Sequence, residues 1–229
     1  LYGSLRGSGF AVPETRGMNL SDGVDSALQA AEELGFPLVF KPARGVGCKG
    51  LSLVSRVSQV QRAFDKVLRA SPHGRYLVQR FVEGVHASVS LVCSGDEAAP
   101  LALSAQEVSL APPASRSRYA GGVTPLEHPL RREAFTVAAD AVENARGLRG
   151  YVGVDMVLCA EGPAIMEINP RLTTSYLGLR MVIDTNPAKL IKEAVMTGRM
   201  PRTPRTSGYT YFSKTRAPRM GVERLRRAY

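Results

Sequence analysis

The sequence predicts an α+β chain whose antiparallel strands carry the chemistry. Three observations lead there. Apolar residues alternate with period two in several short runs, which marks strands. Other runs repeat at helical spacing and are bounded by capping residues. One hairpin, over residues 151–171, gathers acids on a single face. In it Val152, Val154, Met156 and Leu158 form one apolar face, and Ala164, Met166 and Ile168 form the facing set. Ala160-Glu161-Gly162 joins them as a three-residue connection, with glycine where a left-handed conformation is needed. This loop sets Met156 opposite Met166, Leu158 opposite Ala164 and Val154 opposite Ile168. On the other face it sets Asp155 opposite Glu167, with Asn169 two residues further on. A slip of one residue would mix the two faces.

Opposed carboxylates repel and need compensation. A divalent cation between them is one form of it. Magnesium takes hard oxygen ligands and is usually held by one or two carboxylates plus substrate phosphates. Asp155, Glu167 and Asn169 offer that ligand set, and Arg171 follows with a planar fork of donors for an anion. Either acid alone reads equally as a solvated residue or an arginine partner. The whole pattern favours the metal.

The remaining elements follow in order. Residues 1–15 read as the end of a helix, a turn at Gly7-Ser8-Gly9 and a short extended piece. Ser21-Asp22 cap a helix to about Leu34, with Val24, Leu28, Ala31 and Leu34 inward; Gly35 ends it. Residues 37–42 form a buried strand carrying Lys41. The glycine-rich loop 43–50 and a strand at 51–54 follow. Glycines let backbone N–H groups converge on an anion, and Lys41 or Lys49 adds a point charge. The loop lacks the Walker spacing and joins two strands, so it reads as a flap or as an ordinary hairpin loop.

Residues 58–70 predict a second helix with Val60, Phe64, Val67 and Leu68 inward. Strands are expected at 76–82, 87–93 and 101–108. Residues 111–125 read as loop, and a long irregular segment in a compact domain is usually functional or mobile. A helix is expected over 130–148, with Leu130, Ala134, Val137, Ala141, Val142 and Ala145 inward. Two shorter helices, near 175–183 and 186–197, follow the hairpin.

The 229 residues suffice for a sizeable core. No apolar run approaches the roughly 20 residues of a membrane span, so no membrane partner is expected. Cys48, Cys93 and Cys159 are widely spaced and form no zinc-like pair, which points to reduced thiols and the cytoplasm. The net charge of +10 is concentrated at the end: from Arg199 onward nine cations face one acid, Glu223. Such an end suits a solvated tail, anionic substrates or nucleic acid. The absence of a helix-turn-helix, zinc-finger or RNP-like pattern argues against nucleic acid.

Taken together, several stretches resemble the ATP-grasp family. They are residues 36–42, the loop from Gly45 to Gly50, the linker 78–84, Gly153-Val154-Asp155 and Glu167-Ile168-Asn169-Pro170-Arg171. The resemblance covers about residues 5–197 and implies an ATP-grasp fold, with two α+β subdomains clamping ATP between antiparallel sheets. Residues 18–78 would be the smaller lid and 79–200 the larger subdomain with the metal site. Residues 1–17 would be a linker remnant from a missing N-terminal α/β domain, and 201–229 a basic tail.

It further implies that Lys41 contacts the α- and β-phosphates and that Gly45, Gly47, Lys49 and Gly50 close over them. Gln79, Arg80, Phe81, Val82, Glu83 and His86 would form the nucleotide-binding hinge. Asp155, Glu167 and Asn169 would hold Mg2+ (or Mn2+), and Lys41 and Arg171 would act in catalysis. There are departures. The family commonly has glutamate where Gln79 stands, and an acid for the ribose where His86 falls. Glu83 or His86 itself would then serve the sugar, or His86 is an ordinary surface histidine. An arginine common in the family is replaced by Gly153, with Arg171 as the substitute charge.

Gln106, residues 119–125 and the run 167–176 look similar to the tyramine–glutamate ligases of methanofuran biosynthesis and their bacterial relatives. That places Gln106, Tyr119, Gly121, Gly122 and Arg171 at the acceptor substrate. The implied activity is ATP-dependent ligation of a carboxylate to an amine through an acylphosphate, with amino acid, amine and ATP as small-molecule partners and a homodimer left open. The competing readings are an ATP-binding sensor or scaffold without ligase activity, and a nucleic-acid binder using the basic tail.

Overall fold

The computed structural model describes residues 1–45 and 47–213. The chain opens with α1 (Tyr2–Gly7) and β1 (Thr15–Asn19). Next come α2 (Gly23–Leu34), β2 (Leu38–Pro42), β3 (Ser52–Val54), α3 (Val60–Leu68) and β4 (Arg75–Arg80). A second group comprises β5 (Val85–Gly95), β6 (Ala98–Ser109), β7 (Arg118–Thr124), α4 (Arg131–Asn144), β8 (Leu148–Cys159) and β9 (Gly162–Asn169). It ends with α5 (Ser175–Val182), α6 (Pro187–Thr197) and β10 (Thr210–Ser213).

The strands form two antiparallel sheets, as the α+β reading requires. One has the order β1-β4-β2-β3, the other β10-β7-β6-β5-β8-β9. Each sheet buries its own apolar face. On the smaller one, Ala27, Ala31 and Leu34 of α2 and Val60, Ala63 and Val67 of α3 pack over Leu38, Phe40, Tyr76 and Val78. The larger sheet is covered on both faces. Ala134, Ala138 and Ala141 of α4 lie on Val152, Val154 and Met156, while Leu179 of α5 and Leu190 of α6 lie on Val92, Leu101 and Tyr151. No helix among the described residues is long and apolar enough to cross a membrane.

The hairpin shows how local chemistry and packing meet. Asp155 stands opposite Glu167 and Val154 opposite Ile168, as expected. Met156, however, pairs with Ile165 and Leu158 with Pro163. The tip is one residue tighter than expected, with Cys159 facing Gly162, and a bulge between Asp155 and Met156 leaves Met166 as the extra residue. The two deviations cancel, so the acids keep their register while Ile165 takes the core place expected of Met166. The carbonyl of the bulged Met166 accepts the Tyr2 hydroxyl at 2.6 Å.

Other expectations are corrected. The helix expected over 130–148 stops at Asn144, because Arg146 and Gly147 turn with φ of 34° and 78° and Leu148 opens β8. Leu68 is 52% exposed, and Ala63 takes the inward place instead. The strand expected to reach Val82 ends at Arg80. Much of the segment expected as loop over 111–125 is β7. Its Gly121 and Gly122 have no room for a Cβ: the backbone oxygens of Phe212 and Ala105 occupy those places.

The polar β1 runs from Thr15 to Asn19, so the boundary expected at residue 18 falls inside a strand. Residues 1–17 are more than a linker, since Leu5 is buried against the larger sheet's core. The tail expected from residue 201 contributes β10, paired with β7. Its cations Lys214, Arg216, Arg219, Arg224, Arg226 and Arg227 lie outside the described residues.

Candidate active site

The two sheets face one another across a cleft of about 620 Å³. From the smaller sheet come Lys41 of β2 and the connection that follows it, including Gly45, Gly47 and Lys49. The larger sheet presents Gln106 of β6, Tyr119 of β7, Asp155 of β8, and Glu167 and Asn169 of β9, with Arg171 just beyond. Period-two geometry explains the gathering. Val152, Val154 and Met156 point to the core beneath α4, so Asp155 points the other way. Ser88 of β5 stands opposite Asp155. Its short side chain lets Gln106, one strand further along, reach across.

A hydrogen-bonded chain fixes the acid. Gln106 Nε2 donates to Asp155 Oδ1 at 2.9 Å and Asn169 Nδ2 to Asp155 Oδ2 at 3.1 Å. Arg171 donates in turn to Asn169 Oδ1 at 3.0 Å. Burial pushes the Asp155 carboxyl up to about 6, and the facing Glu167 carboxylate adds to the shift. Among the described residues, the ion pairs within 4 Å are Arg16–Glu33 and Lys189–Glu193, both away from the cleft. Arg171 offsets part of the repulsion through space, but no cation is bonded to either acid, and the oxygen set suits a divalent ion. No group of three or more His, Cys, Asp or Glu gathers among the described residues. A cation here would be held by the two carboxylates, leaving room for water and phosphate as suits magnesium. Asn169 would join them once its amide turns from the present pose, in which Nδ2 faces Asp155 and Oδ1 accepts from Arg171.

Lys41 is held on the opposite wall. Its Nζ donates to Gln79 Oε1 at 3.0 Å and to the Tyr2 hydroxyl at 2.9 Å. Gln79 Nε2 is tied to Thr15 Oγ1 at 2.8 Å. Burial pushes the Tyr119 phenol well up, with Thr174 pulling partly back, so Tyr119 meets a ligand as a neutral donor.

Not every expected residue lines this cleft. Gln79 acts through Lys41. Gly50 is buried, with a Cβ position only 2.5 Å from Ala70 Cβ. Arg80 donates to Leu34 O at 2.6 Å and anchors α2. The Phe81 N–H is used by Pro37 O at 3.1 Å. Val82, Glu83 and His86 lie on the connection into β5 and its first residues, outside the lining. Burial lowers the His86 pKa, which favours the neutral ring. Gly121 and Gly122 serve strand packing, as described above.

Sequence reasoning did not anticipate Tyr2, and it held Thr173, Thr174 and Ser175 only as part of the resembling run 167–176 without a site role; all four line the cleft. Tyr2 carried no local signal. Thr173 reaches the place beside Gly153, where a Cβ would lie 2.5 Å from its Cγ2. The small residue expected to leave a missing charge is therefore filled by a threonine loop.

A two-sheet clamp closing on a lysine, a glycine-rich flap and an acidic pair defines a nucleotide-clamping class of enzyme folds. The description "ATP-grasp domain" matches residues 1–175, and the chain belongs to that family. Two curated relatives are tyramine–L-glutamate ligases. The one from Methanocaldococcus jannaschii is 38% identical over 122 residues, 52% of this chain and 36% of that protein. The one from Methanocaldococcus fervens is 41% identical over 105 residues, 46% of this chain and 33% of that protein. The matched part thus spans about a third of these relatives' length. Among solved structures, the biotin carboxylase domain of the Hydrogenobacter thermophilus 2-oxoglutarate carboxylase superposes with a TM-score of 0.73 at 16% identity. It covers 90% of this chain and 47% of that one, and was crystallised as a dimer with MgADP, ADP and bicarbonate. At that identity the likeness shows the fold alone.

Proposed function

We propose that the chain is the ATP-binding and catalytic part of a ligase that joins a carboxylate to an amine, releasing ADP and phosphate. The observation that carries this reading is the Asp155–Glu167 pair, opposed in register and opening on the same cleft as Lys41 and Arg171. The curated relatives' names support an amino acid such as glutamate as the carboxylate substrate. The MgADP in the superposed structure supports a magnesium–nucleotide complex.

In this reading Lys41 meets the α- and β-phosphates, pre-oriented by Gln79 and Tyr2. Gly45, Gly47 and Lys49 cover the phosphates from the flap. The adenosine extends toward Phe81, Val82, Glu83 and His86. Asp155, Glu167 and Asn169 would hold a magnesium ion, whose contribution when bound would be to neutralise charge on the phosphates. The substrate carboxylate oxygen attacks the γ-phosphorus, the bond to the β–γ bridging oxygen breaks, and ADP leaves. The amine then attacks the acyl carbon and expels phosphate. Gln106, Tyr119 and Arg171 orient the acceptor, and the protein's work is positioning and charge neutralisation. No nucleophilic side chain is required.

The test is phosphate release from Mg-ATP with glutamate and tyramine, supplied singly and together. Release that needs both supports the ligase. Release indifferent to either, or none with both, would overturn the assignment.

A further inference from the structure

Behind the cleft wall lies a run of hydroxyls that no role above uses. Ser90 of β5 is buried, and its Oγ lies 2.7 Å from the Tyr151 hydroxyl. The Tyr151 hydroxyl lies 2.9 Å from Thr173 Oγ1 and 3.5 Å from Ser175 Oγ. Thr173 Oγ1 and Ser175 Oγ are 2.7 Å apart. Thr173 and Ser175 line the cleft, whereas Ser90 and Tyr151 do not. The Tyr151 ring is held edge-on against Tyr176 at 5.6 Å, and Gly153 leaves the gap that Thr173 fills.

The direction of these bonds can be worked out. Each hydroxyl has one proton to donate. Ser90 is inaccessible and its sole side-chain partner among the described residues is Tyr151, so its proton goes there; a buried donor left without an acceptor is costly. Tyr151 then donates outward to Thr173; in the last link either Thr173 or Ser175 can be the donor. Four protons serve three short links. The surplus proton therefore sits on the Thr173–Ser175 pair, both of which line the cleft.

We propose that the Thr173–Ser175 hydroxyl pair donates a hydrogen bond to an oxygen of the acceptor substrate, and that Ser90 and Tyr151 are positioning residues that orient and polarise this donor. Bonds aligned head to tail strengthen one another, so the pair meets an anionic oxygen better than an isolated hydroxyl would. The ligand class is a carboxylate, the chemistry that places electron-rich oxygens near Arg171 and Thr174. This inference rests on the ligase reading and names its acceptor contact.

The test uses Tyr151→Phe, which keeps the ring and its contact with Tyr176, and Ser90→Ala, which breaks the first link without touching the cleft. Steady-state kinetics are measured with Mg-ATP, glutamate and tyramine. Both variants should raise the KM for glutamate by roughly three- to tenfold. The KM for ATP should stay within about twofold of wild type, while Tyr151→Phe, which orphans the buried Ser90 hydroxyl, should also lower the ligand-free Tm by a few degrees and Ser90→Ala by less. A Ser175→Ala variant should give the same glutamate defect, and adding Tyr151→Phe to it should add little, because both remove one chain. An unchanged glutamate KM, or equal shifts for ATP and glutamate, would overturn the relay while leaving the ligase standing. Absence of glutamate-dependent turnover in the wild type would instead overturn the ligase reading, and the relay's assigned ligand with it.

Discussion

Replacing Asp155 with asparagine should stabilise the ligand-free protein at neutral pH while removing its function. Burial, and then Glu167, raises the Asp155 carboxyl from an ordinary 3.8 to about 6. The folded state therefore binds a proton more tightly than the unfolded chain does. That contribution is fully present below about pH 4 and is lost as pH rises through about 6. A shift of about two units corresponds to about 3 kcal/mol. Asparagine cannot ionise, so it escapes this loss. It also offers one acceptor oxygen to the two donors Gln106 Nε2 and Asn169 Nδ2, which costs about 1 kcal/mol at every pH. The constant cost cancels when the variant and wild type are compared across pH. Between pH 4 and pH 7 most of the Asp155 contribution is lost, so urea unfolding in chelator at the two pH values should show the stability gap moving by about 2 kcal/mol in the variant's favour. Millimolar magnesium with nucleotide should shrink that gap at pH 7, because only the wild type gains a ligand. A gap that stays constant between pH 4 and pH 7 would refute the account of Asp155 as an acid whose burial outweighs its hydrogen-bond donors.

In the proposed reading Glu167→Gln removes a metal ligand rather than core packing, so turnover should fall by roughly a hundredfold or more while circular dichroism stays unchanged. Wild-type rates would rule out its role. Gly153→Ala places a Cβ 2.5 Å from Thr173 Cγ2, and should cost about 1–3 kcal/mol in thermal unfolding and weaken acceptor binding. Lys66 Nζ bridges the carbonyls of Leu51 at 2.9 Å and Ser115 at 2.7 Å, tying the flap's exit to the larger sheet's loop. Lys66→Met should raise the KM for ATP several-fold with little change in the acceptor's; equal values for both proteins would show that the tie is not used in closure.

Local pattern alone located most of the strands and helices and the hairpin that carries Asp155 and Glu167. Period two put Asp155 and Glu167 on one face, and that inference survived a wrong loop length because the bulge at Met166 restores the register. The residues it misplaced share a cause. Gly121, Gly122 and Gly50 carry glycine for close packing against distant chain, Phe212, Ala105 and Ala70, which no neighbouring residue announces. Gln79 and Arg80 were read from the linker's resemblance, but their side chains turn back to Lys41 and Leu34.

By itself the sequence determined the strands with apolar alternation and which carboxylates share a face, because both depend on neighbours a few positions apart; β1, β7 and β10, which lack that alternation, were set by their pairing with distant strands. Only the tertiary structure decided that Tyr2 meets Lys41 and Met166, that Thr173 fills the place beside Gly153, and that Ser90 lies behind Ser175. Those contacts join residues distant along the chain, and their geometry is set by how the sheets and helices pack.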